Sequence, residues 1–147
     1  TPILMDGDAN REMVKQMVEY AKSVGAEVVA GPESRGFIVG WPTAYEMGVG
    51  FVPVRKPGKL PRETISCKYD LEYGSNELHM HKDAIKPGQK VILIADLLAT
   101  GSTVKATIQM VEAVGGEVVG CGFVVELEGL NGREVLKGYN VYSIVQY

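Results

Sequence analysis

Small and hydroxylated residues follow the most apolar run of the chain. Residues 91–94 form that run, Asp96 comes two positions later, and a helical pattern begins after Ala99, Thr100, Gly101, Ser102 and Thr103. A helix N-terminus presents free N–H groups and a partial positive charge, and a glycine lets the backbone approach an anion closely. The pattern therefore predicts a phosphate-binding loop in preference to an ordinary capped helix.

Neither of the two common nucleotide-binding loops is present in this segment. The spacing departs from the G-x-x-x-x-G-K-[ST] loop and from the G-x-G-x-x-G fingerprint. Asp96, at the carboxyl end of a predicted strand, lies where an open α/β sheet holds its ligand.

Length and composition place these residues in one folded unit. The 147 residues are 46% hydrophobic and 22% charged with a net charge of −3, which predicts a single domain over residues 1–147. The charge does not indicate a nucleic-acid surface, and no run is long enough to span a membrane, so we expect a cytoplasmic protein. Two cysteines and two histidines do not indicate a disulfide framework or a His-rich metal site.

Apolar strands alternate with helices along the chain. The helices are predicted from a cap at Asp8 or Asn10 to Val24, over residues 34–47, and from residue 103 to residue 114. Strands are predicted at residues 28–30, 51–54, 91–94, 118–125 and 142–145, with a loop at 55–62 and a hairpin of 64–69 and 77–81. The order predicts an α/β fold with a mostly parallel, doubly wound sheet and helices on both faces. Trp41 and Cys121 are expected in its core.

The segment of residues 91–103 resembles the phosphoribosyl-diphosphate signature of the type I phosphoribosyltransferases. Four further segments resemble the adenine phosphoribosyltransferases in the same order along the chain: GPESRGF at 31–37, VRKPGKLP at 54–61, LEYG at 71–74, and Glu126-Leu127 before Gly132-Arg133. The resemblance implies a type I phosphoribosyltransferase-like fold with a flexible β-hairpin lid. It implies transfer of phosphoribose from 5-phosphoribosyl 1-diphosphate to adenine, giving AMP and diphosphate in purine salvage.

The resemblance also assigns roles to individual positions. Residues 99–103 would hold the 5′-phosphate and Asp96 the ribose hydroxyls. Glu72 and Tyr73 in the lid would be catalytic, and Phe37 and Leu127 would line the purine pocket. The diphosphate would be bound by Ser34, Arg35, Arg55, Lys56 and Lys59, and guanidinium groups suit phosphate oxygens.

The family further implies Mg²⁺ carried by the diphosphate substrate, with no protein ligand to the metal, and a homodimer. Two features depart from its pattern. Ala95 stands where the family has the first of two acids, so we expect an impaired but active enzyme, and an N-terminal segment that forms a hood over the purine is expected to be missing.

Two alternative functions remain. One is a phosphoribosyltransferase for another purine such as xanthine. The other is a sensor that binds phosphoribosyl diphosphate without chemistry, which Ala95 favours and Glu72 with the basic lid disfavours.

Overall fold

The structure, a computed structural model, describes residues 5–33, 35–60, 63–71 and 74–147. The helices are α1 (Gly7–Ser23), α2 (Arg35–Met47), α3 (Ser102–Ala113) and the short α4 (Gly132–Val135), which follows a 3₁₀ turn at Glu128–Leu130. The strands are β1 (Val28–Pro32), β2 (Gly50–Val54), β3 (Thr64–Leu71), β4 (Gly74–His81), β5 (Lys90–Leu98), β6 (Glu117–Glu126) and β7 (Val141–Gln146).

Five parallel strands form the main sheet in the order β2-β1-β5-β6-β7. The chain moves outward from β1 to β2 on one side and from β5 to β7 on the other, so β1 and β5 lie side by side where the winding direction reverses. Open α/β sheets bind ligands above the carboxyl ends of the strands at such a point. The predicted doubly wound parallel sheet is confirmed.

Each face of the sheet buries its own apolar cluster. Helices α1 and α2 cover one face, where Met17, Val39 and Ile92 are almost fully buried. Helix α3 and the β3-β4 hairpin cover the other, where Met110 and Phe123 are 1% exposed. Each such large side chain contributes about 1.5–3 kcal/mol through burial, which fixes the strand ends relative to one another.

The first helix begins earlier than the sequence predicts. The side chain of Asp6, not Asp8 or Asn10, caps α1 by accepting hydrogen bonds of 2.9 and 3.2 Å from the N–H groups of Asp8 and Ala9. The predicted caps are therefore wrong, because Asp8 already lies inside the first turn, where an acid interacts favourably with the helix dipole.

The base of the hairpin is part of the core. Leu78 and Met80 on β4 are 5% and 0% exposed and pack with the α3 side of the sheet. Reciprocal backbone hydrogen bonds of 2.9 and 2.7 Å join Arg55 to His79, so the end of β2 is tied to the hairpin. Any closing motion of the predicted lid therefore has to take place beyond this anchored base.

The two core predictions for single residues have opposite outcomes. Cys121 is fully buried, and burial raises the pKa of its thiol to about 12, so it stays protonated. The core prediction for Trp41 is wrong, because its side chain is 56% exposed and stacks on Tyr45 at 5.4 Å between ring centroids. Helix α2 buries the opposite side, through residues such as Val39 and Thr43.

None of the helices among the described residues is both long and apolar enough to cross a bilayer.

Candidate functional site

Three segments with phosphate-binding character meet at the carboxyl edge of the main sheet. Glu33 follows β1 and Arg35 begins α2, the basic loop at residues 55–60 follows β2, and the loop at residues 99–103 follows β5. Because β1 and β5 are adjacent, the first and third of these segments flank the point where the winding reverses. Ser34, predicted for the diphosphate, lies outside the described residues.

The loop at residues 99–103, called the cradle below, leads directly into α3. Gly101 has φ of 87°, a left-handed conformation that other residues adopt at a cost, and it provides no side-chain cap for the helix. The N–H groups of the first turn of α3 are thus not capped by the side chain of residue 101. Thr100 and Ser102 hold their hydroxyl oxygens 3.3 Å apart, with Thr100 exposed. The cradle offers hydroxyl and backbone donors to an anion.

Arg35, the first residue of α2, forms an ion pair with Asp96 on β5. The Nε atom of Arg35 lies 3.8 Å from Oδ2 of Asp96, and the two side chains are 71% and 38% exposed. A cation at the first residue of a helix is disfavoured by the helix dipole, and Asp96 supplies a counter-charge. The guanidinium remains largely open to solvent, so it is available to a ligand as well.

A carboxylate ties the basic loop to the turn after β1. Oε1 of Glu33 accepts a 2.7 Å hydrogen bond from the backbone N–H of Lys56, and Oε2 lies 3.4 Å from Nη2 of Arg55. The Lys56 N–H and the Arg55 guanidinium lower the pKa of Glu33, so it is ionised at neutral pH. Lys56 and Lys59 are both exposed. The contacts bring Arg55 and Lys56 to the same side of the site as Arg35.

The two residues predicted for the purine pocket lie on different elements, Phe37 in α2 and Leu127 directly after β6. The ring of Phe37 packs edge-on against Phe51 of β2 at 5.5 Å and lies 5.8 Å below the guanidinium of Arg55. Leu127 directly follows β6, which is three strands away from β2 in the sheet, and its N–H donates to the carbonyl of Leu98 at 2.9 Å. The observed packing gives Phe37 a role in supporting Arg55, and a purine contact for either residue stays a prediction.

The predicted catalytic residues Glu72 and Tyr73 lie outside the described residues. Within the described ranges, no group of three or more His, Cys, Asp or Glu side chains could hold a metal ion. The carboxylate of Asp96 is an oxygen donor of the kind that suits Mg²⁺, which is commonly bound by one or two carboxylates together with substrate phosphates.

The sequence does not predict an ion pair next to the cradle between a buried carboxylate and a half-exposed arginine. Glu126, the last residue of β6, is 3% exposed, and both its oxygens lie within 2.9 Å of Nε of Arg133. Ser143 on β7 donates a third hydrogen bond to it at 2.7 Å. In the sequence, Glu126 and Arg133 occur only as parts of the motif of Glu126-Leu127 before Gly132-Arg133. That motif does not reveal the contact between the two side chains.

The chain is similar to known proteins over nearly its whole length. The phosphoribosyl transferase domain family matches residues 6–145. Adenine phosphoribosyltransferase of Lactobacillus gasseri is 60% identical over 147 residues, which are all of this chain and 84% of that protein.

Solved structures give the same result for the fold. Adenine phosphoribosyltransferase from Thermoanaerobacter pseudethanolicus superposes with a TM-score of 0.96 at 46% identity, covering 99% of this chain and 85% of that one. The Saccharomyces cerevisiae adenine phosphoribosyltransferase, complexed with an imino-altritol bisphosphate and adenine, gives 0.90 at 36% identity over 97% and 83% of the two chains.

Proposed function

Because the chain belongs to the phosphoribosyl transferase family and, within it, to the adenine phosphoribosyltransferases, we propose that it transfers phosphoribose from 5-phosphoribosyl 1-diphosphate to adenine. The products are AMP and diphosphate, and the reaction serves purine salvage. The observation that carries the proposal is the cradle. It lies where the winding direction of the sheet reverses, at the start of a helix without a side-chain cap. Arg35 is paired with Asp96 at the same edge of the sheet.

The parts of the substrate are assigned to the three segments of the site. Ala99, Thr100, Gly101, Ser102 and Thr103 hold the 5′-phosphate, which accepts hydrogen bonds from the hydroxyls and from N–H groups at the start of α3. Asp96 accepts hydrogen bonds from the ribose hydroxyls. The diphosphate is bound by cations from two segments, with Ser34 adding a hydroxyl: Arg35, Arg55, Lys56 and Lys59.

In the reaction, N9 of adenine forms a bond to C1 of the ribose while the bond from C1 to the diphosphate oxygen breaks. The electron pair of that bond leaves with the diphosphate, and the N9 proton is lost from the purine. The cations of the basic loop stabilise the charge that develops on the leaving group. Closure of the hairpin tip excludes water, and Glu72, oriented by Tyr73, faces the purine or the ribose carbon as positive charge grows there.

Mg²⁺ carried by the diphosphate of the substrate would supply charge neutralisation on the leaving group. The residues present fit this arrangement, since the ion would take its oxygens from the substrate and from water, and the nearby carboxylate of Asp96 is assigned to the ribose hydroxyls. The cationic side chains then complete the neutralisation of the leaving group.

We further propose that residues 1–147 form a single catalytic domain, that it acts in the cytoplasm, and that it pairs into a homodimer. The purine pocket includes Leu127, with Phe37 as a second candidate. Phe37 lies near the start of α2 and Leu127 directly after β6. Both positions are next to the carboxyl edge of the main sheet, which supports these assignments.

The experiment is a diphosphate-release assay with Mg²⁺ and with adenine, hypoxanthine, guanine or xanthine as acceptor. Release with adenine alone is the expected result. Faster release with xanthine or another purine identifies a different salvage enzyme, and binding of phosphoribosyl diphosphate without release for any purine identifies a sensor. Heat-inactivated protein is the control for spontaneous hydrolysis of the substrate.

A further inference from the structure

The four-residue helix α4 lies directly against the cradle. A Cβ at Gly132 would be 2.5 Å from the carbonyl oxygen of Ala99, closer than any side chain tolerates, so only glycine allows this approach. From the other side, a Cβ at Gly101 would meet the Gly132 carbonyl oxygen at 3.1 Å and Cβ of Val135 at 3.3 Å. The backbones of α4 and the cradle are therefore in contact, and a movement of one displaces the other.

Helix α4 is too short to hold its own position. A single turn of helix is unstable without tertiary contacts, because the nucleation cost is not offset by propagation. Arg133 supplies such contacts, since its Nε reaches both oxygens of Glu126 at 2.9 and 2.8 Å and its Nη1 donates to the carbonyl of Val141 at 3.3 Å. One side chain thus joins α4 to the last residue of β6 and to the first residue of β7.

The partner of Arg133 is fixed next to the start of the cradle. Glu126 is paired in register with Leu98, the residue that immediately precedes Ala99. Its carboxylate is 3% exposed and also receives the Ser143 hydroxyl at 2.7 Å, so its position is set by β7 as well. Arg133 is 45% exposed, so the cost of desolvation falls mainly on the Glu126 carboxylate. Burying a charge in this way adds little net stability compared with an apolar residue, which indicates another role for the pair.

We propose that Arg133 and Glu126 are positioning residues for the 5′-phosphate: their ion pair holds α4 in place, and α4 holds the cradle in its binding conformation. This inference rests on the proposed function, in which the cradle binds that phosphate. The ion pair acts through the contact between Gly132 and Ala99 and is not assigned any contact with the substrate. Binding loops lose affinity when their support shifts by even a fraction of an ångström, and the predicted consequence is weaker phosphate binding.

The test uses Arg133→Met and ribose 5-phosphate, a probe that carries the phosphate without the purine or the diphosphate. Calorimetric titration of the full chain should show affinity about ten- to a hundredfold below that of the unaltered protein. In steady-state assays, the KM for phosphoribosyl diphosphate should rise while the KM for adenine stays nearly constant. Lys137→Met, which removes an exposed cation two residues beyond α4, is the matched control and should bind ribose 5-phosphate normally.

A second variant separates positioning from folding. Arg133→Met leaves the Glu126 carboxylate buried without its cation, so the double variant Glu126→Gln/Arg133→Met removes that charge and should recover much of the lost thermal stability. The double variant is expected to remain weak for ribose 5-phosphate, because an amide and a thioether cannot rebuild the charged link to α4. Recovery of full affinity in the double variant would show that Arg133 only balances a charge, and would overturn the inference.

Two further outcomes separate this inference from the proposed function. If the unaltered protein binds ribose 5-phosphate and Arg133→Met binds it equally well, the positioning role is wrong and the proposed function stands. If the unaltered protein does not bind ribose 5-phosphate at all, the assignment of the cradle is wrong and the inference is overturned with it.

Discussion

The carboxylate of Glu33 accepts a 2.7 Å hydrogen bond from the backbone N–H of Lys56, which joins the turn after β1 to the basic loop after β2. The Arg55 guanidinium lies 3.4 Å from the same carboxylate. One ionised side chain thus links two of the three segments that we assign to phosphate binding. A preformed arrangement lowers the ordering cost of binding, which is a reason for an acid to stand among cations that bind an anion.

The first prediction concerns the pH dependence of this link. The pKa of Glu33 is held below its ordinary value of 4.5, first by the hydrogen bond from Lys56 and then by Arg55. Because the folded pKa is the lower one, the stabilisation is complete above about pH 4.5 and is lost as the pH falls through the folded value. The difference in Tm between the unaltered protein and Glu33→Gln should therefore be constant near neutral pH and shrink in this acid range. The measurement is thermal unfolding from about pH 7 to about pH 3.

Glu46→Gln is the control for that series, since Glu46 is an exposed acid on α2 outside the three segments. The difference in Tm between Glu46→Gln and the unaltered protein should not shrink in the acid range. A Glu33→Gln difference that persists unchanged to the acid end of the series contradicts the assignment of the link to the ionised carboxylate.

The second prediction concerns the cradle. Replacing Thr100 by Val removes an exposed hydroxyl that we assign to the 5′-phosphate, and Thr103→Val removes a second one at the start of α3. A hydrogen bond to a charged group is worth about 1.5–3 kcal/mol, so affinity for AMP and for phosphoribosyl diphosphate should each fall about ten- to a hundredfold. Thr43→Val makes the same chemical change in α2, where the hydroxyl donates to the carbonyl of Val39, and should leave both affinities unchanged. Equal binding by all the variants removes Thr100 and Thr103 from the site.

The third prediction tests whether Arg35 binds the diphosphate part of the substrate and not the rest of it. Arg35→Gln removes a cation that is 71% exposed, so the loss of its 3.8 Å pair with Asp96 should change stability by less than about 1 kcal/mol. The KM for phosphoribosyl diphosphate should rise about tenfold or more, whereas the affinity for AMP, which has no diphosphate, should change little. Isothermal titration with AMP and with diphosphate checks the split. Arg11→Gln on the exposed side of α1 is the control. Equal losses of affinity for AMP and for diphosphate in Arg35→Gln would contradict the assignment of Arg35 to the diphosphate.

The fold is predictable from the sequence wherever a pattern repeats. Apolar runs predict all five strands of the main sheet within a few residues, and they predict the hairpin, although β3 and β4 extend further than expected. No pattern predicts helix α4, because four residues show no helical period. The core prediction for Trp41 is wrong, because its position on α2 leaves the side chain 56% exposed.

The site is predictable only within each segment. The cradle and the basic loop are continuous in sequence, and local residue types point to an anion. The pairs Arg35–Asp96 and Glu126–Arg133 depend on which strands and helices become neighbours, so no local pattern predicts them. The separation of Phe37 from Leu127 has the same origin, because it depends on the order of the strands in the sheet.

Ala95 and Asp96 project from opposite faces of β5. Asp96 faces Arg35, whereas Ala95 is 7% exposed and belongs to the apolar cluster beneath α3. A cavity of about 10 Å³ lies there, lined in part by Val104 and Phe123. A space of that size holds one water molecule at most, so it cannot hydrate a carboxylate. The family's first acid, if present here, would approach the site from the side opposite to Asp96.

The last prediction therefore has two parts with opposite signs. Ala95→Asp should lower stability by about 1–3 kcal/mol, because a polar group enters a nearly dry apolar environment. It should also raise kcat/KM for phosphoribosyl diphosphate about tenfold while the KM for adenine stays nearly constant, because a second carboxylate can accept hydrogen bonds from the ribose hydroxyls. Thermal unfolding and steady-state kinetics with saturating Mg²⁺ measure the two parts on the same samples. Ala95→Asn adds similar volume without the charge, so it should show the loss of stability with a smaller gain in efficiency. Absence of any gain in kcat/KM from Ala95→Asp would show that the ribose hydroxyls at this position already donate their hydrogen bonds to another group.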